Sequence, residues 1–257
     1  MMNIVYGPVP SWRFGRSIGV DLISREDNIC SFDCTYCQLG NTKEKTIKRS
    51  IFVETDRIKR DLLLLLEKTD ADIVTFSGTG EPTLALNLGE AVEIVRGITN
   101  LPIAILTNSS KMFEEDVKKS LAKFDIVVAK LDAPNDQIFQ SINRPISEIS
   151  YEKILTGIKG FCKIYKGNLA LQMMFFDLNM GYASEMADIA LEIGPEEVQI
   201  NTPTRPCPVQ ALSPGQMEEI NKIFKDKGLK TVSVYKKTRP EVEPVDMKET
   251  LMRRPVL

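Results

Sequence analysis

Apolar runs alternate with amphipathic stretches along most of this chain. Short runs rich in Val, Ile, Leu and Phe are typical of strands that are buried on both faces. They predict strands at 18–23, 72–77, 103–107, 126–131, 169–176 and 198–201, with a seventh, at 231–236, on an edge. Apolar positions at helical spacing predict the intervening helices at 56–68, 88–97, 114–123, 151–165, 183–193 and 214–227.

This alternation predicts an α/β fold in which parallel strands are joined by crossover helices. About six strand and helix units, wound by right-handed crossovers, fit a partial (β/α)6 TIM-like barrel better than a closed barrel. In either barrel, the loops that follow the strands form the reactive face. We expect one core domain at 1–235 and an extended tail at 236–257, which is rich in Lys, Arg and Pro.

Composition narrows the range of functions. The 257 residues carry a formal net charge of -2 with a pI of about 5.5, which argues against a protein that coats nucleic acid non-specifically. No apolar stretch approaches the roughly 20 residues of a membrane helix, and the first residues lack a signal-peptide pattern. We therefore expect a cytoplasmic protein with no membrane partner. The absence of histidine excludes Ser-His-Asp and Cys-His nucleophile systems.

Three of the five cysteines, Cys30, Cys34 and Cys37, lie on one short loop after the first predicted strand. Such clustering in a cytoplasmic chain favours metal ligation over disulfides, and thiolates are the usual ligands of iron–sulfur clusters. Three thiolates leave one iron of a cubane open to another ligand. A structural zinc site is the alternative, but it requires four ligands, and Cys162 and Cys207 are far away in the sequence. Cys162 fits the apolar side of a predicted helix and is expected in the core.

The pattern Cys-x3-Cys-x2-Cys, with Tyr36 before the last cysteine, resembles the signature of the radical SAM superfamily. The resemblance implies a radical SAM core in which Cys30, Cys34 and Cys37 hold a 4Fe-4S cluster whose open iron binds S-adenosylmethionine. It also implies reductive cleavage of S-adenosylmethionine to a 5'-deoxyadenosyl radical, which abstracts hydrogen from a substrate. The expected activity is that of an oxidoreductase or transferase, supplied with electrons by a small donor of the ferredoxin or flavodoxin type.

A second motif, Gly78, Thr79, Gly80 and Glu81, ends the second predicted strand and resembles the Gly-Gly-Glu motif of that superfamily. Glycines let backbone carbonyls approach a ligand closely, and a carboxylate suits the cationic amino group of the methionine moiety. The resemblance implies that further polar residues bind the rest of the cofactor, namely Tyr36, Asn108, Lys130, Asp132, Gln172 and Asn201. Each strand-end residue has a plain alternative as a polar loop residue or a helix cap.

Three further segments, 7–17, 143–145 and 202–206, resemble a branch of the superfamily related to the wyosine-forming tRNA synthases. They contain candidates for binding a carboxylate or phosphate of the substrate, namely Arg13, Arg16, Arg144 and Arg205. Cys207 follows in the last of these loops and is a candidate ligand or hydrogen donor, or a thiol without a role. The wyosine enzymes carry additional cysteines before the motif, whereas no cysteine precedes Cys30 here, which argues against wyosine synthesis itself.

RNA is a candidate partner, because basic residues cluster just after the cysteine loop, namely Lys43, Lys45, Lys48 and Arg49. A short run of mixed charge is more often a solvated loop. Two other functions stay open at this point. One is an iron–sulfur electron-transfer or regulatory protein that does not cleave S-adenosylmethionine, and the other is an activase that installs a glycyl radical on a partner protein.

Overall fold

The computed structural model describes residues 3–255, in which strands and helices alternate. The strands are β1 (Val5–Ser11), β2 (Gly15–Val20), β3 (Ile29–Cys30), β4 (Glu44–Lys45), β5 (Ile73–Phe76), β6 (Ile103–Thr107), β7 (Ile126–Lys130), β8 (Asn168–Met174), β9 (Glu197–Asn201) and β10 (Thr231–Ser233). The helices are α1 (Thr55–Leu66), α2 (Leu88–Ile98), α3 (Glu115–Leu121), α4 (Asp136–Asn143), α5 (Tyr151–Ile164), α6 (Ala183–Ile193), α7 (Pro214–Asp226) and α8 (Met247–Arg253). Met1 and Met2 of the predicted core, and Val256 and Leu257 of the predicted tail, lie outside the described residues.

One eight-stranded sheet organises the molecule, with its strands in the order β1-β2-β5-β6-β7-β8-β9-β10. β1 and β2 are antiparallel, and every other neighbouring pair in this sheet is parallel. Each connection between neighbouring parallel strands of this sheet runs through at least one helix, whereas β3 and β4 form a separate parallel pair joined by the cysteine loop. The sheet curls into a half-barrel, which confirms the predicted partial barrel of parallel strands.

The core lies on both faces of the central strands. Phe76, Ile105, Val127 and Ile200 belong to one continuous apolar cluster and are fully buried. The helices cover the outer face of the sheet with their apolar sides, and the crossover arrangement explains why these strands are apolar runs rather than alternating ones. β6 and α6 have the predicted bounds, and the other predicted elements are shifted by a few residues at their ends.

Helix α7 begins as its sequence predicts. Ser213 Oγ accepts a hydrogen bond from Gln216 N, the Gln216 side chain bonds back to Ser213 N, and Pro214 occupies the first turn. This reciprocal cap satisfies two backbone donors that the helix itself leaves free. Within residues 3–255, no helix has the length and apolarity needed to cross a membrane.

Two differences from the predicted elements lie at the ends of the chain. β1 precedes the first predicted strand and forms a hairpin with it. The segment predicted as an extended tail contains α8, whose Arg253 side chain is fully buried and bonds Asp21. The tail is therefore not extended throughout, and the division into core and tail domains stays a prediction.

Candidate active site

The loop that carries the three clustered cysteines is fixed by its neighbours on two sides. Thr35 N donates to Ile142 O at 2.9 Å, which ties the loop to the end of α4. Ile29 N donates to Thr79 O at 3.2 Å, which ties the start of the loop to the glycine motif. Cys30, Cys34 and Cys37 all line one cavity at the carboxyl end of the sheet, with a volume of about 290 Å³.

The environment of the sulfurs is buried and contains amide donors. Asn108 Nδ2 lies 3.4 Å from Cys30 Sγ, and Asn143 Nδ2 lies 3.4 Å from Cys34 Sγ. Burial raises the pKa of Cys34 to about 11, although the Lys130 ammonium acts in the opposite direction. Burial likewise raises the pKa of Cys30 and of Cys37. The thiols are therefore protonated at neutral pH unless a metal binds them as thiolates.

Both glycines of the motif are in close contact with neighbouring protein atoms, Gly80 with the backbone at the start of the cysteine loop and Gly78 with the Asp21 side chain after β2. A Cβ at Gly80 would lie 1.9 Å from Ile29 O, and a Cβ at Gly78 would lie 2.1 Å from the carboxyl carbon of Asp21. Glu81 N also donates to Ile29 O at 3.1 Å. The sequence predicts that these glycines let a ligand approach the backbone, and the structure adds close contacts with Ile29 and Asp21 as a second reason for glycine at both positions.

The Glu81 carboxylate is buried and accepts several hydrogen bonds from the protein. Oε1 accepts from Thr83 N, Thr83 Oγ1 and Thr107 Oγ1, and Oε2 accepts from Asn108 N at 2.7 Å. Burial raises the pKa of Glu81, while these donors act to lower it. Oε2 has a single donor among the described residues, so it retains the capacity to accept from a ligand in the cavity.

A polar group beneath the cysteine loop orients Tyr36. Its hydroxyl donates to Asp132 Oδ2, which also accepts from Asn143 Nδ2 at 3.0 Å. Lys130 Nζ lies 3.7 Å from the same carboxylate oxygen and 4.2 Å from the centre of the Tyr36 ring. Burial, followed by the charge of Asp132, raises the pKa of Tyr36. Asp132 therefore holds Tyr36 and Lys130 in place from behind the cavity wall.

Comparison with known proteins decides the family. A family model described as the radical SAM superfamily matches residues 28–190, which include the cysteine loop and the glycine motif. The chain belongs to the radical SAM superfamily. Members of this superfamily are generally enzymes, and they use a 4Fe-4S cluster and S-adenosylmethionine, which are the cofactors of this chain.

Known proteins resemble the chain over most of its length. The chain is 38% identical over 230 residues to a UPF0026 protein of Methanocaldococcus jannaschii, covering 87% of this chain and 70% of the relative. It is 41% identical over 207 residues to a UPF0026 protein of Synechocystis, covering 80% and 77% respectively. The structure of native anSMEcpe with bound AdoMet superposes with a TM-score of 0.62 at 16% identity, covering 85% of this chain and 64% of that one, which shows the shared fold.

The side chains of the cavity fit the cofactors of a radical SAM protein. Three half-buried thiols supply the soft ligands that iron–sulfur clusters take. Asn201 Oδ1 is buried at the cavity wall and has no hydrogen-bond partner among the described residues, so a ligand donor would satisfy it. No three His, Cys, Asp or Glu side chains in residues 3–255 are placed to enclose a single metal ion. This is compatible with a cubane, since each cysteine binds a different iron.

The structure separates the predicted site residues into two groups. One group lines the cavity and consists of Cys30, Cys34, Tyr36, Cys37, Gly78, Gly80, Glu81, Asn108, Lys130, Gln172, Asn201, Arg13 and Arg205. The other group lies outside the lining and consists of Thr79, Asp132, Arg16, Arg144 and Cys207.

Each residue of the second group has a partner elsewhere. Thr79 donates from its backbone and its hydroxyl to Asp21 Oδ2. Arg16 pairs with Asp72 at 2.8 Å, and Arg144 lies 3.9 Å from Asp33. These pairs are at the surface, so the prediction that Arg16 and Arg144 bring guanidinium groups to the pocket is not met by the structure.

Cys207 packs beside Tyr36 in a small apolar cluster, and its thiol donates to Val209 O at 3.3 Å.

The basic residues that were candidates for RNA binding do not all face the solvent. Arg49 turns inward, donates to Thr83 O at 2.9 Å and pairs with Asp116. Lys43, Lys45 and Lys48 are exposed. RNA binding stays a prediction.

Three arginines of the cavity are absent from the predicted site. Arg239 follows β10, Arg253 ends α8, and Arg254 is the C-terminal cap of α8. All three lie in the segment predicted as an extended tail, and no local pattern indicates that this segment returns to the barrel. The one available signal was their positive charge.

Proposed function

We propose that this protein is an enzyme, an oxidoreductase or transferase, that cleaves S-adenosylmethionine reductively and acts on a substrate bound in the same cavity. The main observation behind the proposal is that the cysteine loop and the glycine motif are in direct contact. The cysteine loop and the Gly78 to Glu81 loop share a cavity wall, and Ile29 bonds to both Thr79 and Glu81. A protein that only transfers electrons through a cluster has no use for the second loop or for the orphaned Asn201 oxygen.

When bound, the two cofactors supply a 5'-deoxyadenosyl radical that abstracts hydrogen from a substrate. Cys30, Cys34 and Cys37 hold the cluster as thiolates. Glu81 Oε2 and Asn201 Oδ1 are acceptors at opposite ends of the run of strands from β5 to β9, so they can receive donors from the two ends of an elongated ligand.

The proposal also includes the electron donor and the relation to one branch of the superfamily. An electron donor of the ferredoxin or flavodoxin type serves the cluster, since the chain itself contains no second cysteine set near the first. The relation to the branch of the wyosine-forming tRNA synthases, and with it RNA as a substrate, stays a prediction that rests on segments 7–17, 143–145 and 202–206.

The test is the formation of 5'-deoxyadenosine. The protein is reconstituted anaerobically with iron and sulfide, reduced with dithionite and mixed with S-adenosylmethionine, and the product is measured by chromatography. Wild type is expected to form 5'-deoxyadenosine, and Cys34→Ala is expected to lose both the product and the visible absorption of the cluster. Cys162→Ala is the matched control, because Cys162 lies on α5 outside the cavity lining, and it is expected to retain both.

Each failure has a distinct meaning. If a cluster assembles and S-adenosylmethionine binds without cleavage, the assay is repeated with an RNA extract and with a metabolite extract, because a substrate can gate the reaction. If S-adenosylmethionine does not bind to the reconstituted protein, the proposal is wrong and the electron-transfer alternative replaces it.

A further inference from the structure

One wall of the cavity carries an excess of positive charge. Five arginines line the cavity, and one of them, Arg253, pairs with Asp21 and Glu249. We refer to the other four as the arginine quartet: Arg13, Arg205, Arg239 and Arg254. Arg13 is in the turn between β1 and β2, Arg205 follows β9, Arg239 follows β10, and Arg254 caps α8. Among the described lining residues the cavity contains one carboxylate, that of Glu81, which lies on the opposite loop and is occupied by protein donors.

The quartet lacks the carboxylate partners that six other arginines of this chain have. Arg96 pairs with Asp125 and Arg253 pairs with Asp21, each through a guanidinium to carboxylate contact below 3 Å. Within residues 3–255, by contrast, no carboxylate oxygen lies within 4.0 Å of a quartet nitrogen. The contacts of the quartet are to neutral oxygens.

These neutral contacts hold three of the four in place. Arg13 Nε donates to Gln199 Oε1 at 2.7 Å, and its guanidinium lies 4.3 Å from the centre of the Trp12 ring. Arg205 Nη1 donates to Gln38 Oε1 at 2.7 Å. Arg239 Nη2 donates to Thr204 Oγ1 at 3.2 Å. Each bond uses one of the five donors of a guanidinium, so most donors remain available.

Mutual repulsion accompanies this arrangement. Burial, followed by the charges of Arg254, Arg205 and Arg239, lowers the pKa of Arg13 to about 9. Burial, followed by the charges of Arg254 and Arg239, lowers the pKa of Arg205 to about 9. Gathering like charges in a partly buried wall opposes folding, and such conflicts in natural proteins occur mainly at functional sites. An anionic ligand would remove the conflict.

We infer that the arginine quartet binds the phosphate or diphosphate group of a low-molecular-weight substrate. This inference rests on the proposed function, because it assigns the substrate class of the same cavity. A carboxylate carries one charge and two oxygens, which a single guanidinium fork satisfies. Several guanidinium groups in one cavity suit a ligand group with at least two negative charges and three oxygens. A phosphomonoester and a diphosphate are such groups.

Arg205 and Arg239 lie away from the residues assigned to the methionine end of the cofactor. Gly78 and Glu81 follow β5, whereas Arg205 and Arg239 follow β9 and β10, on the other side of β6, β7 and β8 in the sheet. These two arginines are therefore placed to hold a substrate group rather than the charged methionine group of the cofactor. A small phosphorylated substrate is favoured over RNA because the four arginines line one cavity and their charges act on one another there, whereas a single-stranded nucleic acid requires a charged groove that follows its backbone.

The test measures binding of inorganic pyrophosphate to the reconstituted protein by isothermal titration calorimetry, with S-adenosylmethionine present at saturation. Wild type is expected to bind. Arg205→Gln and Arg254→Gln are each expected to weaken binding about tenfold or more, which corresponds to about 1.4 kcal/mol. Arg60→Gln is the matched control, because Arg60 is exposed on α1 and pairs with Asp61 away from the cavity, and it is expected to bind as wild type does.

Thermal unfolding separates lost binding from lost folding. Arg254→Gln relieves repulsion, so its midpoint without ligand is expected to equal or exceed that of wild type, while pyrophosphate raises the midpoint of wild type more than that of the variant. Absence of pyrophosphate binding, or equal binding by all variants, would overturn the inference. Competition between pyrophosphate and S-adenosylmethionine would also overturn it, because the quartet would then hold the cofactor carboxylate.

Binding of RNA to the quartet is the remaining alternative. If a short single-stranded RNA binds in a fluorescence anisotropy assay, loses affinity in the quartet variants and is not displaced by pyrophosphate, the small-substrate inference is wrong. The two hypotheses fail separately, since pyrophosphate binding requires no cleavage of S-adenosylmethionine. Pyrophosphate binding with no 5'-deoxyadenosine, either alone or with the RNA and metabolite extracts, refutes only the proposed function. Formation of 5'-deoxyadenosine without pyrophosphate binding refutes only the assignment to the quartet.

Discussion

At the scale of single residues, the backbone of Gly80 joins the cysteine loop to the cofactor loop. Replacing Gly80 by Ala places a Cβ 1.9 Å from Ile29 O, which is a backbone atom and cannot rotate away. Gly80→Ala is expected to lower the free energy of unfolding by about 1 to 3 kcal/mol, as overpacking does elsewhere. Urea unfolding of the protein measures this loss, and the iron content after reconstitution is expected to fall with it.

Gly97→Ala is the matched control for Gly80→Ala. Gly97 lies in α2, and a Cβ there meets no atom within 4 Å. Because Ala is the better helix former, this variant is expected to equal wild type or to gain up to about 1 kcal/mol. Equal stability of the two variants would show that the two loops can separate without cost and that the packing explanation of the motif is wrong.

Residues of the site differ in how far sequence predicts them. Cys30, Cys34 and Cys37 are recognisable because three ligands within one loop form a local pattern. Asn108 and Asn201 are predictable because parallel strands bring their carboxyl ends to one edge. The remaining residues depend on contacts between distant segments, for which no local pattern exists.

At the scale of elements, α8 is held to the barrel by a buried ion pair. Arg253 Nε donates to Asp21 Oδ2 at 2.9 Å, and Asp21 also accepts from Thr79 N, so one carboxylate joins β2, the glycine motif and α8. Arg253→Met is expected to cost roughly 3 kcal/mol, the lower end for breaking a buried pair, because backbone donors still serve Asp21. Urea unfolding measures the cost.

The neighbouring residue provides the comparison for Arg253→Met. Arg254 has no carboxylate within 4.0 Å among the described residues, so Arg254→Met is expected to leave the stability unchanged or to raise it. A double variant that combines Asp21→Asn with Arg253→Met is expected to recover part of the loss, since it removes the buried charge that the single variant leaves unpaired. A loss below about 1 kcal/mol for Arg253→Met would contradict the role assigned to α8.

Elements that sequence did not predict share a physical reason. β1 contains Gly7, Pro8 and Pro10, which interrupt the apolar run that would otherwise indicate a strand. α4 has eight residues and α8 has seven, about two turns each, which is too short for a helical repeat to be recognised. Asn135 and Asp246 cap them with side chains that are equally common in turns. The long strands and helices of the core were predictable because burial imposes a repeating pattern on them.

At the scale of the whole molecule, the sheet has two unequal edges. β10 has three residues, two of them half-buried, and a single strand neighbour. β1 is also an edge strand, but it is almost entirely buried, and Val245 N donates to Gly7 O at 2.9 Å on its outer side. Native-state hydrogen exchange is expected to be slowest in β6, β7 and β8, intermediate in β1 and fastest in β10.

The expectation that β1 exchanges its amide hydrogens more slowly than β10 depends on the C-terminal segment, which covers β1. Exchange of β1 as fast as that of β10 would mean that residues 245–253 detach frequently in solution. Exchange of β10 as slow as that of β7 would mean that another element covers the β10 edge. Mass spectrometry of peptides from β1, β7 and β10 distinguishes these results.

The hydrogen bond between Arg13 Nε and Gln199 Oε1 spans the open side of the half-barrel, from the first hairpin to the ninth strand. On the ribosome, Arg13 emerges long before Gln199, and the cysteine loop emerges between them. The nascent chain can therefore present its three thiols while the side of the cavity facing β9 is still unbuilt. For the cell, this order of synthesis leaves an interval in which iron and sulfide can be delivered to the cysteines before the wall that encloses them is complete.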